Sequence, residues 1–217
     1  MKEETKEKLQ NLISQAIDQN ITAGMNMLVR KDNEEIFYTE HGFRNLEEGK
    51  KIQRNTIFRL YSMSKPITAA AAMILMEQGK LDLAQPVAEI LPGYEHLMVE
   101  ENGEICPAKK MLTPHYLLNM ASGITYGEED TKAGRMVQQY LQSCIERLHT
   151  DQAVTTEEFA CHLGSIPLSF EPDSAWAYGL SADILGAVIE KVSGMRFGEF
   201  LETYLFKPLG MKDTGFW

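Results

Sequence analysis

The sequence predicts a protein of the α/β class, more closely an α+β fold, in which a short antiparallel sheet precedes a mainly helical region. Two runs of strand-forming residues, 24–29 and 35–41, flank a polar turn at 31–34, as in a β-hairpin. The segment 69–76 is apolar at every position, which indicates a helix inside the protein. Beyond it, apolar residues return several times at helical spacing.

Length and composition fit one large folded domain or two small ones. The chain has 217 residues and 44% hydrophobic content, enough to bury a core of its own. We expect a single domain over residues 1–217, with the N-terminal helix and hairpin at 1–57 and the helical part at 58–217. Two strands alone are only marginally stable, so the hairpin is expected to join a larger sheet.

The net charge and the N-terminal sequence limit the expected binding partners and the expected cellular compartment. The formal net charge of −10, from 21 basic and 31 acidic side chains, repels a nucleic-acid backbone. The N-terminal residues are charged and lack the apolar core of a secretory signal, and no apolar run is long enough to span a bilayer. We therefore expect a cytoplasmic protein that binds neither nucleic acid nor membrane.

Metal and disulfide chemistry are not expected. The three cysteines, Cys106, Cys144 and Cys161, are odd in number and match no zinc or disulfide spacing, so we interpret them as packing residues. The acidic stretch 127–130 lacks the alternating spacing of a calcium loop, and the histidines are scattered. No cofactor is predicted.

The remaining elements follow in chain order from periodicity and capping signals. A first helix is predicted by the helical spacing of Leu9, Leu12, Ile13, Ala16 and Ile17. Residues 42–56 resemble a polar connection, and Asn102-Gly103 indicates a second hairpin within 98–106. Later helices are expected from Pro114 to about Met120, and over 132–149, 155–163, 181–192 and 196–205, with Thr113, Thr155 and Ser181 as N-caps.

Ser62 and Lys65 are the first candidates for chemistry. They stand three apart at the start of the apolar helix, a spacing that places their side chains on one face. A serine in a first helical turn has a backbone N–H free to stabilise an oxyanion. A lysine among apolar neighbours would be desolvated and nearer to neutral, able to accept the serine proton. A capping serine and an ordinary lysine at a helix end are equally compatible with the pattern.

Several blocks in the same order resemble one family. Residues 58–79, which contain Ser62-Met63-Ser64-Lys65, resemble the active-site helix of the serine β-lactamase and penicillin-binding-protein superfamily. The resemblance is closest to its class C β-lactamase and family VIII carboxylesterase branch. It extends over further blocks at 81–87, 117–124, 176–186 and 208–214.

This resemblance implies a β-lactamase/transpeptidase-like fold and an acyl-transfer mechanism. Ser62 would be the nucleophile that forms an acyl-enzyme, and Lys65 would hydrogen-bond it and share its proton. Tyr178, in Trp176-Ala177-Tyr178, would act as general base and then as acid to the leaving group, with Lys65 favouring its phenolate. Without the resemblance, Tyr178 is more simply an aromatic residue packed beside Trp176.

The chain departs from the family pattern after the tyrosine and at its end. Gly179 and Leu180 stand where the β-lactamases usually continue as Tyr-x-Asn, which favours an esterase over a β-lactamase. The resemblance implies further strands after Trp217, one of them bearing a second oxyanion donor. We therefore expect the chain to be the N-terminal part of a longer hydrolase, or one half that needs a complementary chain. In either case its sheet is incomplete, and the exposed edges favour a homo-oligomer.

Two functional hypotheses remain. The first is an acyl-transferring serine hydrolase acting on a small-molecule ester or, with lower expectation, an amide such as a β-lactam or a D-amino-acid peptide. The second is a non-catalytic relative that keeps the fold as a binding or interaction module. The expected lack of the final strands favours the second for the chain as it stands, whereas Ser62, Lys65 and Tyr178 favour the first for the longer protein.

Overall fold

A computed structural model describes residues 1–128 and 130–216 of the chain. The chain divides into two compact units, Met1–Arg59 and a second unit from Leu60 onward. Glu129, part of the acidic stretch of the sequence, and Trp217 lie outside the described residues.

The first unit contains one helix and a three-stranded antiparallel sheet. Helix α1 (Glu3–Asp18) packs on strands β1 (Gly24–Lys31) and β2 (Glu34–Asn45), with Ile13 buried beneath it. The β1–β2 turn places Asp32 and Asn33 at φ 49° and 64°, the left-handed conformations of a tight hairpin turn, so the predicted hairpin is confirmed. The predicted connection at 42–56 is partly wrong, because β2 continues to Asn45 and pairs with β3 (Lys50–Lys51).

The second unit is mainly helical, as the sequence predicts. A two-stranded hairpin, β4 (Met98–Glu101) and β5 (Glu104–Pro107), turns at Asn102-Gly103. Val99 of β4 is fully buried, and β4 exchanges backbone hydrogen bonds with Leu168. The helices are α2 (Ser64–Glu77), α3 (Pro114–Leu118), α4 (Lys132–Arg147), α5 (Thr156–Gly164), α6 (Ser181–Ser193) and α7 (Phe197–Leu201), which continues as a wide turn through Glu202–Phe206.

The core of this unit is built around α6 rather than α2. Helix α6 packs against α2, α3, α5 and α7, and most of its residues are buried. Helix α2 buries one face through Thr68, Ala71, Ala72 and Leu75, whereas Met73 remains 37% exposed. The expectation of an α2 buried on all sides is therefore wrong, since a uniformly apolar sequence does not indicate which face packs.

Other sequence expectations have mixed outcomes. Cys106, Cys144 and Cys161 are unpaired and pack partly buried against the core, as expected. Thr155 caps α5 by accepting a hydrogen bond from the Glu158 amide, but Ser181 does not cap α6, because Leu180 occupies that position. Within the described residues, no helix is both long and apolar enough to cross a bilayer.

Candidate active site

The site begins at a strained turn before α2. Ser62 lies in the 3-10 turn Tyr61–Met63, which leads directly into the helix. Tyr61 has a φ of 47°, a left-handed conformation that costs a residue with a Cβ atom roughly 1–2 kcal/mol. Ser62 is exposed to solvent and occupies neither helix-capping position. The alternative of a simple capping serine is therefore wrong.

Lys65, one helical turn after Ser62, is the centre of the polar contacts. Its Nζ donates hydrogen bonds to Ser62 Oγ at 3.2 Å and to Tyr126 Oη at 3.1 Å. The same Nζ lies 4.5 Å from the centroid of the Tyr178 ring. The structure thus brings the three predicted site residues together around the Lys65 ammonium.

The charge state of Lys65 differs from the sequence expectation. Burial lowers its pKa, but hydrogen bonds with Tyr126 and Tyr178 favour the ammonium and leave the pKa above its ordinary value. The prediction of a nearly neutral lysine is therefore wrong. The periodicity of the sequence indicates the apolar neighbours of Lys65 on α2. It does not indicate the phenols of Tyr126 and Tyr178, which lie on loops distant in the chain.

Tyr178 has the opposite shift. The Ser62 hydroxyl and then the Lys65 ammonium stabilise its phenolate and lower its pKa, while burial and the Asp183 carboxylate act in the opposite direction. Lys65 Nζ lies over the face of the Tyr178 ring and also donates hydrogen bonds to Ser62 Oγ and Tyr126 Oη. Tyr178 is 45% exposed, so the phenol is also open to a ligand.

Tyr126 is the site residue that the sequence does not indicate. It is 61 positions from Lys65 in the chain, and its ring centroid lies 5.9 Å from that of Tyr178. Its position in a glycine-bearing loop carries no spacing signal toward Ser62 or Lys65. The sequence shows only that Tyr126 is a tyrosine in a loop of the mainly helical region.

Two loops are tied together to place the tyrosines. The Ala177 amide donates to Met120 O at 3.1 Å, joining the segment before Tyr178 to the loop that carries Tyr126. Gly179 lies so close to that loop that a Cβ atom there would be 2.2 Å from Ile124 O. Only glycine allows this approach, which gives a structural reason for the residue that follows Tyr178.

A cavity of about 520 Å³ opens beside these groups. Ser62, Lys65 and Tyr126 line it together with further hydroxyl-bearing residues and with apolar side chains such as Phe159 and Leu180. Asp183 also lines the cavity from the first turn of α6. Although that residue as a whole is exposed, burial of its carboxyl raises the pKa, and attraction to Lys65 only partly offsets this shift.

The arrangement favours nucleophilic chemistry over metal chemistry. A serine beside an ammonium and a phenol of lowered pKa has the chemistry to act as a nucleophile with a nearby base. Over residues 1–128 and 130–216, no three His, Cys, Asp or Glu side chains gather as metal ligands.

Comparisons with known proteins agree with the fold and the predicted family. The chain is 29% identical over 214 residues to Esterase EstB of Burkholderia gladioli, covering 96% of this chain and 51% of the relative. It is 30% identical over 184 residues to the lovastatin esterase of Penicillium rubens, covering 81% and 44%. The solved structure of EstCE1, described as a hydrolase with promiscuous acyltransferase activity, matches with a TM-score of 0.79 and 28% identity, covering 97% of this chain and 53% of that one.

These relatives are longer than the chain, which spans about half of their length. The structural match confirms the α/β, β-lactamase/transpeptidase-like fold. The sequence profile of the Beta-lactamase family matches residues 9–217, nearly the whole chain. The chain belongs to the Beta-lactamase family.

Proposed function

We propose that this protein is a serine hydrolase of the carboxylesterase type, which forms an acyl-enzyme on Ser62. The observation that carries the proposal is the position of Lys65, with Nζ 3.2 Å from Ser62 Oγ and 4.5 Å from the centroid of the Tyr178 ring. This ammonium orients the Ser62 hydroxyl and favours the Tyr178 phenolate. The phenolate can therefore act as a base beside the hydroxyl.

Tyr178 serves as the base, and Lys65 remains charged. The Tyr178 phenolate takes the proton of Ser62 as Oγ bonds to the ester carbonyl carbon. The bond from that carbon to the alcohol oxygen then breaks, and Tyr178 returns the proton to the departing alkoxide. In the second half-reaction Tyr178 accepts a proton from water as its oxygen bonds to the carbonyl carbon of the acyl-enzyme. The bond from that carbon to Ser62 Oγ then breaks, the acid is released, and Tyr178 returns the proton to Oγ. The pKa shifts of both groups support this division of roles.

The start of α2 contributes to oxyanion stabilisation. The first amides of a helix have no acceptor within it, and the Ser62 N–H lies in the turn that opens α2. A backbone N–H next to the nucleophile is well placed to stabilise the negative charge that develops on the carbonyl oxygen.

Esters suit this site better than amides. Leu180 stands two residues after Tyr178, lines the cavity and is only 4% exposed. An apolar side chain there offers no hydrogen bond to a substrate amide, whereas an ester needs none. Two matched relatives are named as esterases, which agrees with this preference. β-Lactam and D-amino-acid peptide hydrolysis are therefore the less favoured variants of the proposal.

Short-chain p-nitrophenyl esters provide the test. We expect turnover by the wild-type chain that disappears in Ser62→Ala, because no other group replaces the nucleophile. Ser174→Ala, a change at another serine of the same unit, serves as the matched control and keeps the wild-type rate. Equal rates in Ser62→Ala and wild type would overturn the proposal, and an absence of turnover would favour the non-catalytic binding module.

A further inference from the structure

The cavity beside Ser62 is lined by both polar and apolar side chains. Lys65, Tyr126 and Asp183 contribute ionisable groups, and threonines such as Thr155 and Thr156 contribute hydroxyls. Apolar surface comes from five side chains, namely Val154, Phe159, Leu180, Phe197 and Phe216. A substrate that places its reactive carbonyl at Ser62 and fills this cavity can therefore set an apolar group against these side chains.

The position of Tyr178 indicates which part of the ester enters the cavity. Under the proposed function, Tyr178 returns a proton to the leaving alkoxide and must contact it. Tyr178 is not among the described residues that line the cavity, whereas Ser62 and Lys65 are. The alcohol therefore departs on the Tyr178 side of Ser62, and the acyl group occupies the cavity.

Gly186 is the open position in the apolar wall. It lies on the cavity face of α6, three residues after Asp183 and four after Ala182, which also line the cavity. A Cβ atom at Gly186 would meet the Phe197 ring at 3.9 Å, an ordinary van der Waals contact. Alanine therefore fits there without a clash.

A glycine in this place is unfavourable for the helix itself. Alanine stabilises a helix interior relative to glycine, and neither a positive φ nor a close backbone approach requires glycine at this position. What glycine provides instead is space on the cavity wall opposite Phe197. That space is about the volume of one methyl group.

We propose that Gly186 and Phe197 set the length of the apolar acyl group that the site accepts. This inference rests on the proposed function and names its substrate class, esters with an unbranched apolar acyl chain. The acyl chain of the substrate lies along α6, and its end contacts the part of the cavity wall formed by Gly186 and the Phe197 ring. Phe197 is held in turn by Phe216, edge to face, with ring centroids 5.2 Å apart.

The test uses p-nitrophenyl alkylphosphonates with alkyl groups from methyl to octyl. Ser62 Oγ bonds to phosphorus as the bond to p-nitrophenolate breaks, and the serine proton leaves through Tyr178 to solvent. The alkyl group thus stands in for the acyl chain, and the rate of p-nitrophenolate release reports each length. Peptide mapping by mass spectrometry checks that the phosphonate is on Ser62.

We expect Gly186→Ala to leave the methyl reagent unchanged and to slow the longest accepted reagents about fourfold for each methylene that no longer fits. Phe197→Leu removes ring volume and shifts the preference toward longer chains. Gly215→Ala adds a methyl group in open space outside this cavity and is the matched control, with the wild-type profile.

Each outcome bears on one of the two proposals. If no reagent modifies Ser62 in wild type, the proposed function fails and this inference with it. If Ser62 is modified but Gly186→Ala has the wild-type length profile, only the inference fails. A shift with alcohol length in a series of alkyl acetates, rather than with acyl length, also overturns it. Gly186→Ala is expected to melt roughly 2–4 °C above wild type, and a lower melting temperature would contradict the fit of alanine.

Discussion

Helices α2 and α6 each begin beside a serine, and the two serines have opposite environments. Ser62 is exposed, follows a left-handed residue and accepts a hydrogen bond from the Lys65 ammonium. Ser181 is fully buried, and its Oγ lies 2.7 Å from Ser122 Oγ. Neither hydroxyl caps its helix. The difference shows that the groups around a hydroxyl, rather than its place in a helix, separate a candidate nucleophile from a structural link.

The buried pair also supports the exposed site. Ser122 Oγ accepts a hydrogen bond from the Ile124 amide at 3.1 Å as well as contacting Ser181. Ser122 therefore fixes the start of the loop that carries Tyr126 against the start of α6. One helix start is expected to carry chemistry, and the other to hold a part of the site in place.

The largest expected effect concerns the two phenols beside Lys65. Tyr178→Phe removes the proposed base, and we expect kcat/KM for a p-nitrophenyl ester to fall about 10²–10⁴-fold. Tyr126→Phe is the matched control, because it removes only one hydrogen-bond acceptor of the Lys65 ammonium, worth about 1.5–3 kcal/mol and hence at most about 10²-fold in rate. Equal losses in the two variants would contradict the assignment of Tyr178 as the base.

The pH dependence tests the electrostatics at the start of α2. The lowered pKa of Tyr178 predicts that kcat/KM rises with pH through a midpoint below about 10, as the phenolate forms. The raised pKa of Lys65 predicts that the activity persists until the pH exceeds the ordinary lysine value of about 10.4. Rates measured in Ser62→Ala are subtracted to remove spontaneous ester hydrolysis.

Charge-changing variants sharpen the same test. Lys65→Met removes the ammonium that favours the phenolate. We therefore expect a loss of rate, and the midpoint at which kcat/KM rises with pH should move to higher pH. Lys65→Arg keeps the positive charge and should leave that midpoint near the wild-type value. A midpoint that does not move in Lys65→Met would show that another group titrates.

A smaller effect is expected on stability. Here the buried Ser181 is expected to matter more than Ser62, the reverse of their expected importance for activity. Ser181→Ala leaves the buried Ser122 hydroxyl with one partner fewer, and we expect a loss of about 1–2 kcal/mol in the free energy of unfolding. Ser62→Ala changes an exposed residue and should stay within about 0.5 kcal/mol of wild type. Urea denaturation measures both. A greater loss in Ser62→Ala would contradict the comparison of the two helix starts.

Local patterns account for much of the fold and for part of the site. Helical spacing predicts α1 and α4, because each has an apolar face whose period is visible in the sequence. The stripe of apolar residues also predicts α6, although its consecutive residues from Ile184 to Ile189 are all buried. The left-handed turn residues Asp32 and Asn33 make the first hairpin predictable in the same way. The proximity of Ser62 and Lys65 follows from a separation of three residues in a helical turn.

Features that depend on distant contacts could not be predicted locally. The charge of Lys65 depends on Tyr126, which is remote in sequence and has no pattern linking it to α2. The sequence around Ser181 resembles an N-cap. In the structure its hydroxyl instead forms a hydrogen bond with Ser122, which is 59 residues away in the chain. The exposed side of α2 is equally hidden, because an entirely apolar segment has no polar face to reveal its orientation.

Covalent labelling of the intact chain tests the central claim most directly. A fluorophosphonate reacts with a serine whose hydroxyl is activated by a neighbouring base, and peptide mapping by mass spectrometry identifies the modified residue. We predict one adduct per chain, on Ser62, with Ser122 and Ser181 unmodified and with labelling strongly slowed in Tyr178→Phe. A chain that remains unlabelled, or that carries the adduct on another serine, would contradict the assignment of the active site to the start of α2.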